Sequence, residues 1–383
     1  MPGSSVRRDW LLLPLLGLVS VALIGITAEL VSRQLFSESS ERLATCLVLD
    51  DSSHGVRGIP NSTCREKSQE SPLVEYRLDA AGFRSGFISR TTQSGTFRIV
   101  MVGSSIAMGE RVPFSQTLAA ILPKELSASS GRPIELYNEG MAYGFARNVV
   151  LRFPDALAAK PNAVLWLLTP LDVQLASVVD VKSAFRGPAH ASRIWDRVKE
   201  RLLGRLQTEG GNVFITGFAL RHWIYAHERQ DLYAKAFLAS GNTEETGFLE
   251  ASFGPVWEAH LKEFAAYAAQ VAAQANRAGV PLIATLVPNH AQAAMIASGS
   301  WPSGFDPYRL GEKLRSIIVG NGGTYVDILP EFRNATDVGQ LYFPMDGHPN
   351  AAGHLIISQF MANRLEPVLL SGRDVPAAAD VKR

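Results

Sequence analysis

Two segments of the chain, far apart in sequence, carry residue types that could act together as nucleophile and base. Ser105 follows an apolar run and Gly103-Ser104, so it is expected at a strand-to-helix turn with backbone amides beside its hydroxyl. His348 stands two residues after Asp346 in a loop with Gly and Pro, and a carboxylate so placed can orient an imidazole as a base. Taken singly, the first segment is also typical of a plain serine turn, and the second of a capped loop that leads into a helix.

A third segment, Asn138-Glu139-Gly140, also follows an apolar run, and a glycine there lets backbone N–H groups approach a ligand. A plain turn explains the same pattern. A zinc site built from His348, His354 and Asp346 is an alternative, but histidines six residues apart do not share one helical face. The sequence therefore predicts neither a metal site nor a cofactor.

These segments lie in a regular alternation of apolar runs and helical patterns. The runs lack strict polar alternation, which is typical of strands in a parallel sheet covered on both faces. The clearest helical pattern places apolar residues three and four apart from Trp257 to Ala275 and ends at Gly279. Together they predict a three-layer α/β/α, flavodoxin-like domain that binds ligands at the carboxyl ends of five parallel strands: 97–102, 134–137, 163–168, 282–287 and 325–329.

The N-terminal region carries a run of 19 uncharged residues, 10–28, close to the ~20 residues needed to cross a bilayer. Two arginines precede it, so the positive-inside rule places the globular part outside the cytoplasm, facing the periplasm if the cell is Gram-negative. A cleaved signal peptide is the alternative, but its apolar stretch is usually shorter and 26–28 is a poor cleavage site. We therefore expect a cytoplasmic segment over 1–9 and a single-pass anchor over 10–31.

Composition divides the rest of the chain. Ser, Glu and Arg with few large apolar residues predict an extracytoplasmic stalk over 32–70. The globular pattern occupies 71–370 and contains a long insertion over 173–254. A flexible tail is predicted over 371–383. Within the insertion, residues 193–206 form a basic amphipathic pattern that favours packing on the domain over lying on an anionic membrane.

Charge and cysteine content exclude several classes of protein. The 383 residues contain 37 Lys and Arg against 36 Asp and Glu, whereas a nucleic-acid-binding protein would show a basic excess. Two cysteines are too few for a four-cysteine zinc site or an iron–sulfur cluster. Cys46 and Cys64, 18 residues apart, either form a disulfide outside the cytoplasm or remain unpaired.

The segments together resemble the SGNH, or GDSL-type, hydrolase and acyl-esterase superfamily, in particular its membrane-anchored bacterial members, over about 74–362. The resemblance implies Ser105 as nucleophile, His348 as general base and Asp346 as orienting acid. It also implies that the amides of Ser105 and Gly140 bind the oxyanion. The residues that carry it are Ala81-Gly82-Phe83-Arg84, the run 98–105, Asn138-Glu139-Gly140, the run 326–330 and the run 346–354.

The chain departs from the family pattern at three positions. Ser104 stands where the family usually has Asp, and Met345 occupies the usual position of the Asp three before the His, although some O-acetyltransferase relatives use the shorter Asp-x-His spacing. The third block reads Thr169-Pro170-Leu171-Asp172 in place of Gly-x-Asn-Asp, so Leu171 supplies no oxyanion hydrogen bond. Losing one such donor costs about 10²–10³ in rate. Asn138, Gly140 and Asp172 are the residues left to bind substrate or the oxyanion.

The resemblance implies a membrane-anchored, extracytoplasmic serine esterase or O-acyltransferase that acts on acyl groups of envelope or exported carbohydrate or on a small ester. No nucleic-acid partner is expected, and the envelope polysaccharide machinery is a candidate partner. The altered blocks leave a second hypothesis open, in which the chain is a non-catalytic binding or scaffold subunit of an envelope polysaccharide assembly.

Overall fold

The computed structural model describes residues 5–51, 55–86, 88, 95–178, 215–240 and 243–371. Within these ranges the strands are β1 (Leu47–Asp51), β2 (Gly55–Gly58), β3 (Thr63–Glu66), β4 (Val74–Arg77), β5 (Phe97–Gly103), β6 (Ile134–Asn138), β7 (Ala163–Leu168), β8 (Leu282–Leu286) and β9 (Thr324–Tyr325). The helices are α1 (Ser5–Leu35), α2 (Ser105–Met108), α3 (Leu118–Ser130), α4 (Ala146–Ala158), α5 (Pro170–Gln174), α6 (Ile215–His227), α7 (Gln230–Ser240), α8 (Thr243–Thr246), α9 (Pro255–Ala278), α10 (His290–Ser298), α11 (Arg309–Gly320) and α12 (Ala351–Ser371).

A five-stranded parallel sheet forms the centre of the molecule, in the order β6-β5-β7-β8-β9. β7 and β8 are buried at every position, because their apolar runs are covered on both faces. β6 lies on one side of β5, and β7, β8 and β9 follow on the other side. Because the strands are added in opposite directions, right-handed connections place helices on opposite faces of the sheet. The predicted three-layer, flavodoxin-like α/β/α fold with five parallel strands is confirmed.

Two layers of helices enclose the sheet. α3 packs against α12 in one layer, and α4, α9 and α11 form the other. The best-patterned helix, α9, buries its apolar residues, opens with Pro255 in its first turn and ends where Gly279 adopts a left-handed backbone with φ 66°. It lies where the periodicity predicts it.

The fifth strand is shorter than the predicted 325–329. Thr324 and Tyr325 pair with β8, and the Val326 N–H donates a last bond to the Ala284 carbonyl (2.9 Å). The Asp327 carboxylate then accepts the N–H of Leu329 (3.1 Å) and pairs with Arg315 (3.2 Å), and the chain turns away from the sheet. A local bond from side chain to backbone thus replaces the ladder that the apolar run predicts.

The stalk predicted over 32–70 is instead a folded module. β1 pairs with β2 and β3 with β4, both antiparallel, and a disulfide joins the buried Cys46 and Cys64. The Val56 N–H donates to the Asn148 side chain on α4 (2.9 Å), which attaches the module to the domain. Composition misses this module because the disulfide and the long-range contacts that stabilise its short polar strands leave no local pattern.

The insertion over 173–254 supplies α6, α7 and α8, and α7 packs on α10 after the fourth strand of the sheet. The basic segment over 193–206 lies outside the described residues, as does the predicted tail from residue 372 onward.

The N-terminal helix α1 is longer than the predicted span of 10–31. Its part Leu12–Leu35 is long and apolar enough to cross a membrane, and 6 % of the most apolar window is buried. A signal sequence meets the same criteria of length and composition. Near its end, α1 contacts α6: the Glu29 carboxylate accepts the N–H groups of Ile215 (3.1 Å) and Thr216 (3.0 Å).

Candidate active site

Ser105 stands at the carboxyl end of β5, on the sharp turn into α2. Ser104 leaves the strand with φ −93° and ψ −144°, and Ser105 is the first residue of the helix. Gly103 has φ 148°, and a Cβ there would lie 2.5 Å from the carbonyl oxygen of Leu167 on β7. The glycine therefore lets the two strands stay paired up to the point where the chain presents the serine hydroxyl.

His348 reaches Ser105 from the loop before α12, although 243 residues separate the two in sequence. The loop folds back on itself, because the Phe343 N–H donates to the His348 carbonyl (2.9 Å) and Gly347 has φ 79°. The His348 Nε2 atom lies 2.8 Å from the Ser105 Oγ atom. At this distance a neutral imidazole can accept the serine proton.

Asp346 completes a hydrogen-bonded chain. Its Oδ1 atom lies 2.7 Å from His348 Nδ1, and its Oδ2 atom lies 2.6 Å from Arg111 Nη1. Burial opposes ionisation, but His348 and Arg111 outweigh it and lower the pKa of Asp346 to about 2. The carboxylate is therefore ionised at neutral pH and fixes the Nδ1 proton, which leaves Nε2 to face the serine.

The protonation of His348 depends on the same neighbours. Burial opposes charge on the imidazole, but the Asp346 carboxylate outweighs burial and raises the pKa of His348 above its ordinary value. Arg111 acts in the opposite direction and lowers that pKa. The imidazole is thus a stronger base than a free one, and it loses this role as the pH falls through its raised pKa.

The N-terminal module, β1 to β4, binds the backbone of the loop that carries the Asp346 carboxylate. The two oxygens of the buried Glu70 side chain accept the N–H groups of Met345 (2.9 Å) and Asp346 (2.8 Å). Burial raises the pKa of Glu70 to about 7, although the two amides lower it. The Tyr76 hydroxyl accepts the N–H of Arg111 (2.8 Å). Sequence reasoning missed Glu70 and Arg111, because no motif spacing links either to the triad segments.

Arg84, in the segment that resembles the family's lead-in, fixes the loop after α2. The side chain is 1 % exposed, and burial lowers its pKa to about 10. This loop continues to Arg111, so the buried guanidinium holds in place the chain that carries the partner of the site carboxylate. The Arg84 guanidinium donates hydrogen bonds at 2.6–3.2 Å to the carbonyl oxygens of Met108, Gly109 and Val112.

Asp172, predicted to bind substrate or the oxyanion, is fully buried, and its side chain is bonded within the protein. Its Oδ2 atom accepts the Ser104 hydroxyl (3.1 Å) and both the N–H (2.8 Å) and the hydroxyl (2.7 Å) of Thr169. Burial raises the pKa of Asp172 to about 6, although these bonds lower it. The side chain caps its own helix α5 and ties the turn after β5 to the turn after β7.

The second block does not present the oxyanion donor that the resemblance implies. The Gly140 N–H donates to the Asn138 Oδ1 atom (2.9 Å), and both residues are buried. A Cβ on Gly140 would lie 2.5 Å from backbone atoms of Ala107 and Met108, so the glycine allows close packing against α2. Asn138 and Gly140 therefore support the helix that carries Ser105, and neither lines the cavity beside it.

A cavity of about 480 Å³ opens beside Ser105 and His348. Leu171 lines it and is 37 % exposed, so an aliphatic group stands where the family has an amide donor. The insertion forms one wall of the cavity and makes it largely apolar. Its lining residues are Tyr225, Tyr233, Ala236, Phe237, Glu245 and Phe248.

Two carboxamides, Gln174 and Asn289, line the same cavity and could donate hydrogen bonds to a ligand. The Asn289 Oδ1 atom caps α10 by accepting the Gln292 N–H (2.9 Å), and its amino group remains a donor. Sequence reasoning missed Asn289, although it follows the fourth predicted strand at the carboxyl edge where ligands are expected.

No group of three His, Cys, Asp or Glu side chains in the described part of the chain could hold a metal ion. His354, weighed above as a zinc ligand, is buried, and its Nδ1 atom accepts the N–H of Leu118 at the start of α3 (3.1 Å). Burial lowers the pKa of His354 to about 3, so the ring is neutral and serves the packing of α3.

No family model and no curated protein matches the chain. Solved structures that align with it include a variant of an acetyl xylan esterase from Geobacillus stearothermophilus, at 14% identity over 72% of this chain and 97% of that chain, with a TM-score of 0.41. A psychrotrophic esterase from Pseudoalteromonas aligns at 10% identity over 71% and 98%, with a TM-score of 0.37. A lipase/acylhydrolase from Enterococcus faecalis aligns at 10% identity over 71% and 96%, with a TM-score of 0.34.

The motif segments of this chain meet at one edge of its sheet. Ser105 comes from the end of β5, and His348 and Asp346 come from the loop before α12. A serine–histidine–aspartate chain of hydrogen bonds at the carboxyl end of a parallel sheet of this order is the arrangement that the resemblance to the SGNH hydrolases implies.

Proposed function

We propose that the protein is a membrane-anchored serine ester hydrolase or O-acyltransferase that acts outside the cytoplasm. The observation that carries the proposal is the contact of Ser105 with His348 (2.8 Å) and of His348 with Asp346 (2.7 Å) beside a cavity. The resemblance adds the substrate class, which is acyl groups of envelope or exported carbohydrate. The largely apolar cavity wall suits the acyl part of such a substrate.

The reaction follows from the contacts of the three side chains. As the Ser105 Oγ atom attacks the ester carbonyl carbon, its proton passes to His348 Nε2, and Asp346 stabilises the imidazolium that forms. When the bond to the leaving alcohol breaks, His348 returns the proton to that alcohol and an acyl-serine remains. Water or a sugar hydroxyl then attacks the acyl carbon while the same imidazole takes its proton. As the bond from the acyl group to Ser105 breaks, His348 returns that proton to the serine oxygen.

The Ser105 N–H is the donor that we assign to the oxyanion, because it lies in the first turn of α2, where amides have no partner within the helix. Two donors of the family pattern are missing here: the Leu171 side chain carries no amide group, and the Gly140 N–H is bonded to Asn138. Each missing donor costs about 10²–10³ in rate. We therefore expect slow turnover on simple esters.

Three features support the location. The 24-residue window Leu12–Leu35 can cross a bilayer, and the Cys46–Cys64 disulfide is typical of an oxidising compartment. Glu29 of α1 also accepts two backbone amides at the start of α6. This contact joins the end of the apolar helix to the folded domain.

Labelling with a fluorophosphonate, which attaches to an activated serine oxygen, tests the proposal. We expect the folded wild-type protein to be labelled and to lose the label in Ser105→Ala and in His348→Ala. The exposed Ser115, ten residues further on, provides the matched control, since Ser115→Ala should keep the label. The double variant of Ser105 and His348 should be no worse than either single variant in ester turnover, because triad members act as a unit.

Two outcomes reject the esterase proposal: a folded wild-type protein that takes no label, and full turnover in Ser105→Ala. The second hypothesis, a binding or scaffold subunit, would then take its place. If label and turnover are present, product analysis with an acylated oligosaccharide separates hydrolysis from transfer, because transfer leaves the acyl group on an acceptor sugar.

A further inference from the structure

One face of helix α6 packs against the rest of the protein, and the opposite face is exposed. Ile215 and Phe218 are buried, and the rings of Phe218 and His222 contact Phe36 at the end of α1 (centroids 5.3 and 5.0 Å apart). The other face carries large apolar side chains three and four residues apart that are 40–60 % exposed. We call these the α6 stripe: Leu220, Trp223 and Ile224.

α6 runs beside the end of α1 in the same direction. The Ile215 amide binds Glu29, and two turns later on both helices the His222 ring contacts Phe36. Glu29 precedes the last residue of α1, Leu35, by six positions, which is about 9 Å of helix. Because both helices rise equally per residue, the α6 stripe lies level with the last turn of α1 and just beyond it.

This level coincides with the boundary of a bilayer that α1 would cross. The 24 residues of Leu12–Leu35 make about 36 Å of helix, somewhat more than the ~30 Å of hydrocarbon, so the end of α1 falls near the headgroups. Tryptophan is enriched at this boundary, and the exposed Arg221 next to the α6 stripe suits phosphate headgroups. The exposed apolar side chains of α1 continue the same surface; they include Leu30, Val31 and Leu35.

We propose that the α6 stripe inserts into the outer surface of the lipid bilayer that α1 crosses. The proposal rests on the anchor in the proposed function and deepens it. The face of α6 opposite the stripe carries Tyr225, which lines the cavity beside Ser105. The bilayer contact therefore holds the cavity next to the leaflet, so an acyl group carried by a lipid can reach the serine without crossing open water.

Nitroxide accessibility measures the insertion directly. The full chain is reconstituted in vesicles of phosphatidylethanolamine and phosphatidylglycerol, with a spin label on Trp223→Cys or, if that variant does not fold, on Ile224→Cys. The native cysteines are paired and take no label. The control is Val319→Cys, an exposed apolar position on α11 beside the far edge strand of the sheet. We expect the ratio of oxygen to nickel-complex collisions to be several-fold higher at 223 than at 319.

Equal ratios at the two positions would overturn the proposal, as would a label at 223 that is protected from both reagents, because the latter indicates a protein partner on the α6 stripe. This readout needs no catalysis, so it stands apart from the triad test. In a second assay, Leu220→Ser combined with Trp223→Ser should cut turnover of a vesicle-embedded ester several-fold and leave turnover of a soluble ester in detergent unchanged. An equal loss on both substrates would also contradict the proposal.

Discussion

At the scale of single residues, the short Asp-x-His spacing lets Asp346 reach the His348 imidazole because the loop turns sharply between them. Gly347, between the two residues, has φ 79°, and Asp346 Oδ1 accepts both the side chain (2.7 Å) and the backbone N–H (3.3 Å) of His348. Arg111 and Glu70 then hold the acid in place. The family's more distant Asp is therefore not needed to orient this imidazole.

Replacing Arg111 with Met should move the acid limb of the pH–rate profile to higher pH. Arg111 lowers the pKa of His348, so removing its charge makes the imidazolium easier to form, and more alkaline conditions are needed to free the base. The measurement is kcat/KM against pH on a small ester. Arg277→Met, at an exposed site on α9, is the control and should leave the limb unchanged. A limb that moves to lower pH in Arg111→Met would contradict this account.

Replacing Leu171 with Asn should raise turnover of small acyl esters or leave it unchanged. The substitution restores an amide near Ser105, and because Leu171 is 37 % exposed, the polar group costs less than the about 1–3 kcal/mol of a sealed site. Leu171→Ala separates loss of the side chain from gain of the amide. A large drop in a well-folded Asn variant would show instead that Leu171 shapes the acyl pocket, and the view of a deficient third block would be abandoned.

At the scale of elements, Asp172 links the turns after two neighbouring strands through a carboxylate whose pKa burial raises to about 6 from 3.8. Because the folded protein holds this proton more tightly than the unfolded chain, the raised pKa stabilises the fold fully at a pH below 3.8. This contribution is lost as the pH rises through about 6. Asp172→Asn cannot ionise, so its unfolding free energy should fall less between pH 4 and pH 7 than that of the wild type, by up to about 3 kcal/mol.

Thermal unfolding of both proteins across that pH range, in detergent, measures the difference. Asp337→Asn, at an exposed left-handed position that Asn also tolerates, is the control and should follow the wild type. Parallel curves for the wild type and Asp172→Asn would rule out the proposed link between burial of Asp172 and pH-dependent stability.

The α7 wall of the cavity should set the preferred acyl length. Phe237 lines the cavity, so Phe237→Ala should raise kcat/KM for longer acyl chains relative to acetyl, by up to about fourfold per methylene that enters the space. Leu232→Ala, on the exposed side of the same helix, is the matched control. The comparison uses a series of esters with one alcohol and increasing acyl length. An unchanged preference would place the acyl chain elsewhere.

At the scale of the whole molecule, the topology is open to a direct test. The proposed location of the sheet domain outside the cytoplasm rests on the two arginines that precede the apolar helix. A reporter that is active only in the cytoplasm, fused after Arg383, should be silent, and a periplasmic reporter at the same position should be active. Strong cytoplasmic activity would reject the orientation.

Sequence predicts this fold where local pattern and burial coincide. β5, β7 and α9 are long, apolar and buried, so their periodicity indicates them directly, and the motif segments then meet because parallel strands end at one edge. Glu70 acts on a loop 275 residues away, and Asp172 is a cap that no spacing distinguishes from a ligand-binding carboxylate. These roles arise from tertiary contacts, which the order of residues along the chain does not encode locally.

The contact between Ser105 and His348 also has a consequence for biosynthesis. The ribosome delivers the nucleophile 243 residues before its base, and in the proposed topology the chain crosses the membrane in that order. A nascent or truncated polypeptide that lacks His348 carries an ordinary, unreactive serine and cannot cleave esters in the secretion machinery or its surrounding lipid. In the proposed function, chemical competence therefore arises only once His348 has been made and has reached Ser105, which requires nearly the whole domain.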